Sequence, residues 1–95
     1  MPPRRQSKPR SREHAALGDA IRERREKLGL SQEALADAAG VHVTHLGGVE
    51  RGVRNPNYVT LVRIAHALSV RTGALVTRAD ELADARPRRG PRRKS

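Results

Sequence analysis

Gly29–Pro56, GLSQEALADAAGVHVTHLGGVERGVRNP, decides how this chain is read. Its punctuation spells two short helices with a tight turn between them. Ser31 suits an N-cap, because its hydroxyl accepts from a first-turn amide, and Glu33 follows at the positive end of the helix dipole. Leu35, Ala38 and Ala39 supply the apolar side. Gly40 ends the helix where a left-handed residue costs least, and Val41 plugs the turn. A second helix starts at about His42, with Leu46 and Val49 three apart on one side, and Gly52 closes it. Ala36 is small enough to let the two helices cross closely. Helices this short bury little against each other, so the unit needs a scaffold. Leu17–Leu28 precedes it and Tyr58–Leu68 follows it.

Working outward gives an all-α chain of five helices. Helix 1 is expected over 13–28, with Leu17, Ala20, Ile21 and Leu28 on one stripe. Helix 2 spans 32–39 and helix 3 spans 42–51. Pro56 stiffens the next loop and Asn57 caps helix 4, over 58–68, whose stripe of Tyr58, Leu61, Ile64, Ala65 and Leu68 reads as core. Helix 5 is expected over 72–85, with Leu75, Val76, Ala79 and Leu82 at helical spacing.

With 95 residues the chain holds one small domain, over 13–85. Tyr58 is its one aromatic residue, so the core must come from Leu, Ile, Val and Ala. A core so thin gains from a symmetric dimer. No cysteine is present, which excludes disulfides, thiol chemistry and Cys-based metal sites. No apolar run spans a membrane or resembles a signal peptide, so a cytoplasmic protein is expected. The net charge of +10 is unevenly placed. Residues 1–12 carry five cations and residues 86–95 carry six, with no acid in either, whereas 13–85 carry nine cations and ten acids. Both tails are expected to be disordered basic segments. The first reads equally as a phosphate-following arm or as a solubilising tail, whereas the second reads first as a sequence-blind phosphate contact.

LGLSQEALADAAGV followed, after a spacer, by VERGVRNP resembles the helix-turn-helix of the XRE (Cro/CI phage-repressor-like) family, from about Leu17 to Leu75. The segment GVERGVRNP is most similar to the controller proteins of restriction–modification systems. The resemblance implies a five-helix lambda-repressor-like domain whose helix 3 lies in the major groove with its first residues at base edges. The base-facing set is then His42, Val43, Thr44, His45, Gly47 and Gly48. None of these is the Arg, Asn or Gln that reads guanine or adenine with paired hydrogen bonds, and two glycines in mid-helix cost roughly 1 kcal/mol each against alanine. Thr44 and Val43 suit a thymine methyl, and Arg54 in the following loop is a further candidate for specificity. The resemblance also pairs Arg25 with Glu50, gives Arg25 a possible phosphate, and makes Gln32 a phosphate contact, where helix-end amides suit an anion too. Arg51, Arg54, Asn55 and Asn57 crowd the loop beside helix 3 as phosphate clamps. Helix 5 builds the dimer interface in relatives of this kind, which implicates Val76, Ala79 and Leu82; the plain alternative is that they cap their own core.

No catalytic constellation is present. His42 and His45 stand three apart, a spacing open to metal, but no cysteine and no carboxylate in register accompany them. No serine or threonine has a recognisable histidine and acid, and THLGGVERG is not a phosphate loop. The expectation is a non-enzyme without cofactor or metal, and without an evident small-molecule effector. It binds double-stranded DNA as a homodimer at a two-fold operator and regulates transcription, self-regulation included, as a controller or a phage or plasmid repressor. Two alternatives stay open: a protein-interaction module such as an antitoxin or bridging factor, and a non-specific binder driven by its tails.

Overall fold

Four of the helices begin on a side chain that satisfies a first-turn amide. In the computed structural model, which describes residues 8–85, Ser11 Oγ accepts from His14 N at 3.0 Å and starts α1, Arg12–Lys27. Ser31 does the same for Ala34 at the head of α2, Gln32–Ala39. His42 caps α3, Val43–Glu50, its Nδ1 accepting from Thr44 N at 3.2 Å. Asn57 caps α4, Tyr58–Ala67, accepting from Thr60 N at 2.8 Å. α5 runs over Thr72–Ala85. No strand occurs among the described residues. Gly40 (φ 69°) and Gly52 (φ 79°) take the left-handed conformation that ends α2 and the turn after α3.

The core is aliphatic. Ile21, Leu35, Leu46, Val49, Ile64 and Leu68 are almost wholly shielded, one or more from each of the first four elements or their caps, and Leu75 closes the set from α5. α1 packs along α5 and against α3, while α2 packs against α3 and α4. The α1–α3 approach depends on Gly18. A Cβ there would collide with the backbone carbonyls of Val49 and Glu50, so the end of α3 lies directly on the α1 backbone.

Polar ties lock the outer helices. Arg24 Nε donates to the Leu68 carbonyl at 3.0 Å, fixing α1 to the end of α4. Arg78 of α5 grips the Glu23 carboxylate of α1 through Nε and Nη2, at 2.8 and 2.9 Å. Arg12 Nη1 donates to the Ala83 carbonyl at 3.0 Å, near the end of α5.

Several expectations change. Residues 8–12 do not belong to a disordered arm: Arg10 N donates to the Gly52 carbonyl at 2.8 Å, Ser11 is a cap, and Arg12 is already helical. The expectations for 1–7 and 86–95 lie outside the described residues. Leu28 is 40% exposed, because α1 ends before it and the chain turns away. Tyr58 is 74% exposed. It opens α4, and helical side chains lean toward the N-terminus, so its ring overhangs the end of the core. Ala79 is buried and Leu82 packs half-buried on the core of its own chain, because α5 leans on α1. Of the apolar residues assigned to a dimer interface, Val76 alone stays exposed.

Candidate nucleic-acid interface

α3 presents one side to the core and another to solvent. Leu46, Val49 and Glu50 point inward and are buried. On a repeat of 3.6 residues, Thr44, Gly48 and Arg51 fall on the opposite side, flanked by His45 and Gly47. Thr44, Arg51 and His42 are exposed and His45 is half-buried. Val43 is half-buried and packed on the core, which leaves only part of it facing outward. His42 stands at the cap, outside the helix proper, and its Nδ1 is occupied by the Thr44 amide.

The inward side is held by one carboxylate. Glu50, with its side chain 2% exposed, receives Arg25 Nε at 2.7 Å and Arg25 Nη2 at 3.0 Å. Gln32 Nε2 adds a third donor at 2.9 Å. Arg25 Nη1 donates to the Leu30 carbonyl at 2.9 Å, in the turn between α1 and α2. The paired hydrogen bonds to Glu50 raise the Arg25 pKa above its ordinary value; burial pulls the other way but is outweighed. A buried carboxylate is costly unless fully paired, and these three donors supply the pairing. They also fix α3 to α1 and to the head of α2. Gln32 and Arg25, both assigned to phosphate from the resemblance, are thus engaged within the fold.

The amides at the head of α2 remain suited to an anion. The intrahelical ladder starts with Leu35 N on the Ser31 carbonyl, and Ala34 N is taken by Ser31 Oγ, so the amides of Gln32 and Glu33 precede both. Asn57, another assigned phosphate contact, spends its Oδ1 on capping α4.

The two mid-helix glycines are buried, although they lie on the outward half of α3. Arginine side chains cover them. A Cβ on Gly47 would lie 3.2 Å from Arg51 Nη1, and one on Gly48 would lie 2.6 Å from Arg54 Cγ. Arg51 and Arg54, with Arg10, His45, Val53 and Asn55, line an open polar depression beside α3. Among the described residues no ion pair or side-chain hydrogen bond engages Arg10, Arg51 or Arg54. Three unpaired guanidinium groups around one depression attract polyanions, and phosphate is matched by the guanidinium fork. Sequence reasoning put Arg10 in the arm and missed it here. The signal was faint: Pro9 packs near Gly52 and Arg10 bonds to it, a contact that no local pattern announces.

No group of three or more His, Asp, Glu or Cys side chains is placed to hold a metal among the described residues. Nor is any single helix there long and apolar enough to cross a membrane.

Known proteins share this fold. The chain is 42% identical over 62 residues to the control protein C.SmaI of Serratia marcescens, covering 65% of this chain and 74% of that one. The crystal structure of the restriction–modification controller protein C.AhdI from Aeromonas hydrophila superposes with a TM-score of 0.67 at 38% identity, covering 68% of this chain and 98% of that one. The clp gene regulator ClgR from Corynebacterium glutamicum superposes at 0.73 with 28% identity, over 76% and 77% of the two chains. The model of the helix-turn-helix family HTH_3 matches residues 21–75, from within α1 to the first turn of α5. The chain belongs to that family.

Proposed function

We propose that this DNA-binding regulator of transcription works as a homodimer on a two-fold operator, one α3 in the major groove of each half-site, about one helical turn apart. The observation that carries the proposal is the split character of α3. Its inner side is locked by Arg25, Gln32 and Glu50, and its outer side is bordered by the guanidinium groups of Arg10, Arg51 and Arg54, unpaired among the described residues. A rigid helix with a cationic border suits insertion between two phosphate backbones. Thr44 and His45 face base edges, with Val43 giving partial apolar contact at the groove. Arg51 and Asn55 hold phosphate, together with the first amides of α2. Gln32 and Arg25 act through Glu50 as positioning residues, and Asn57 acts through α4.

The dimer forms around the exposed apolar side chains left by the fold. Val76 is one, and Val59 on the outward side of α4 is another; Ala79 and Leu82 serve the core. A restriction–modification controller is the specific role that the named relatives support, with its own operon as the target on our reading, and a phage or plasmid repressor is the second. On this reading the chain is cytoplasmic, is not an enzyme, and takes no cofactor and no small-molecule effector.

The test is a fluorescence titration, at physiological salt, of labelled duplex from upstream of this gene against a shuffled duplex of equal length. A specific site is expected to bind at least about 10³-fold more tightly, with two protomers per duplex. Equal, salt-sensitive binding to both removes self-regulation there. Retained preference after truncation to 8–85 removes the tail-driven alternative.

A further inference from the structure

Two polar anchors fix where the described chain begins and ends. Arg10 N donates to the Gly52 carbonyl at 2.8 Å. Pro9 stands against the same glycine: a Cβ on Gly52 would lie 3.1 Å from Pro9 Cβ and 2.9 Å from Ala15 Cα. The start of α1 is thus seated on the turn after α3, with Arg10 in the wall of the cationic depression. Two residues on, Arg12 Nη1 donates to the Ala83 carbonyl at 3.0 Å, which brings the last turn of α5 to the first residue of α1. Lys8 and Ala85, the first and last described residues, therefore share one corner of the molecule, the corner that carries Arg10. Arg10, Arg12 and Ala83 all lie outside residues 21–75, the part that the family model matches.

The charges that continue from this corner have one sign. Arg4, Arg5 and Lys8 come before it, and residues 86–95 follow it with six cations and no acid. The acids of α5 do not oppose them on the inner side. On a repeat of 3.6 residues Asp80, Glu81 and Asp84 are turned away from Ala79 and Ala83, the side that packs on α1. We infer that residues 86–95 are a sequence-blind DNA contact, and that the Arg12–Ala83 clasp delivers them to the duplex flanking the α3 half-site, beside residues 1–8. The inference rests on the outer side of α3 meeting duplex, as above. Ten residues reach at most roughly 35 Å, about one helical turn of DNA, so they stay on the DNA that adjoins the half-site. Once α3 is docked their contacts are intramolecular, and weak phosphate contacts then add affinity without adding selectivity. α3 selects the site and this corner holds it.

The chain has no cysteine, so one tethered probe can be placed at either end of the described residues. A duplex selected from a randomised pool by the wild-type chain is prepared bare and with flanks of about one helical turn. Full-length Lys8→Cys and Ala85→Cys, each carrying an iron–EDTA tether, are bound to the flanked duplex. Both are expected to cut the same few base pairs in the flank of each half-site. Residues 1–95, 1–85 and 8–85 are then titrated on both duplexes at several salt concentrations. Removing 86–95 is expected to lower the slope of log affinity against log salt by at least about 2 on the flanked duplex, at about 0.9 per phosphate, and to change little on the bare one. The inference is overturned if the Ala85→Cys tether leaves the DNA uncut or cuts a helical turn away from the Lys8→Cys tether. It is equally overturned if 1–85 keeps the full slope. In either case a chain 8–85 that still prefers the selected duplex over a shuffled one leaves the α3 reading standing. A chain 8–85 that binds both alike sinks that reading, and this assignment with it.

Discussion

Arg25 and Glu50 are joined by two parallel hydrogen bonds of 2.7 and 3.0 Å, between side chains 12% and 2% exposed. Removing the arginine leaves a buried carboxylate with Gln32 as its one remaining side-chain donor. Arg25→Ala is therefore expected to destabilise the fold by about 3–5 kcal/mol. The double variant Arg25→Met, Glu50→Leu should cost much less, because no charge is then stranded. Urea midpoints of the single and double variants check this. Equal losses in both would mean that the pair contributes by shape alone.

A second prediction concerns Gly18 and Gly73. Gly18 lies inside α1 and Gly73 is the second residue of α5; alanine improves a helix interior by roughly 1 kcal/mol and a first turn by less. At Gly73 nothing lies within 4 Å of a new Cβ, so Gly73→Ala should raise the melting temperature. At Gly18 the new Cβ runs into the Val49 and Glu50 carbonyls. Gly18→Ala is expected to lose about 1–3 kcal/mol through overpacking. Thermal melts of the two variants should move in opposite directions.

Acid should weaken the clasp between α1 and α5. The hydrogen bonds from Arg78 hold the Glu23 carboxyl below its ordinary value of 4.5. Folding thus releases a proton from this group at intermediate acidity. The associated stability is complete above the unfolded value and fades as pH falls through the lower folded one. The effect is small, because both side chains are about half exposed. The gap in melting temperature between wild type and Glu23→Gln should accordingly be present at neutral pH and vanish in strong acid. A gap that widens on acidification would contradict the assignment.

The Arg10 and Arg51 guanidinium groups line the depression and have no ion pair or side-chain hydrogen bond among the described residues, and both suit phosphate. Arg10→Ala and Arg51→Ala should each weaken binding to all duplexes alike, and each should lower the slope of log affinity against log salt by about 1. Titrations at several salt concentrations decide it; a loss confined to one base pair would assign that arginine to base reading instead.

The parts legible in the sequence were those written locally. Ser31, Gly40 and Asn57 mark their helix ends by their own chemistry, and the periodic positions Ile21, Leu35, Leu46 and Ile64 form the core. What stayed hidden depends on elements remote in the chain. Nothing in the local pattern marks Gly18, whose importance comes from α3 lying on it. Ala79 looked spare until α5 was seen against α1. Leu28 and Tyr58 fit an apolar stripe, but periodicity does not say where neighbouring helices stop. In the site, glycines 47 and 48 read as losses of side chain because the arginines covering them come from beyond the helix. The resemblance supplied Gln32 as a phosphate contact; its bond to Glu50 needed coordinates.

The position of Tyr58 has a spectroscopic consequence. It is the chain's single aromatic residue, and its ring stands 74% exposed at the head of α4. Unfolding moves it from water to water, so ultraviolet absorption and intrinsic emission pass almost silently through the transition, and stability must be followed by helix signal. The same ring follows directly on the loop of Arg54, Asn55 and Pro56 that borders α3. A probe blind to the collapse of the core is thereby left free to register what arrives at that surface.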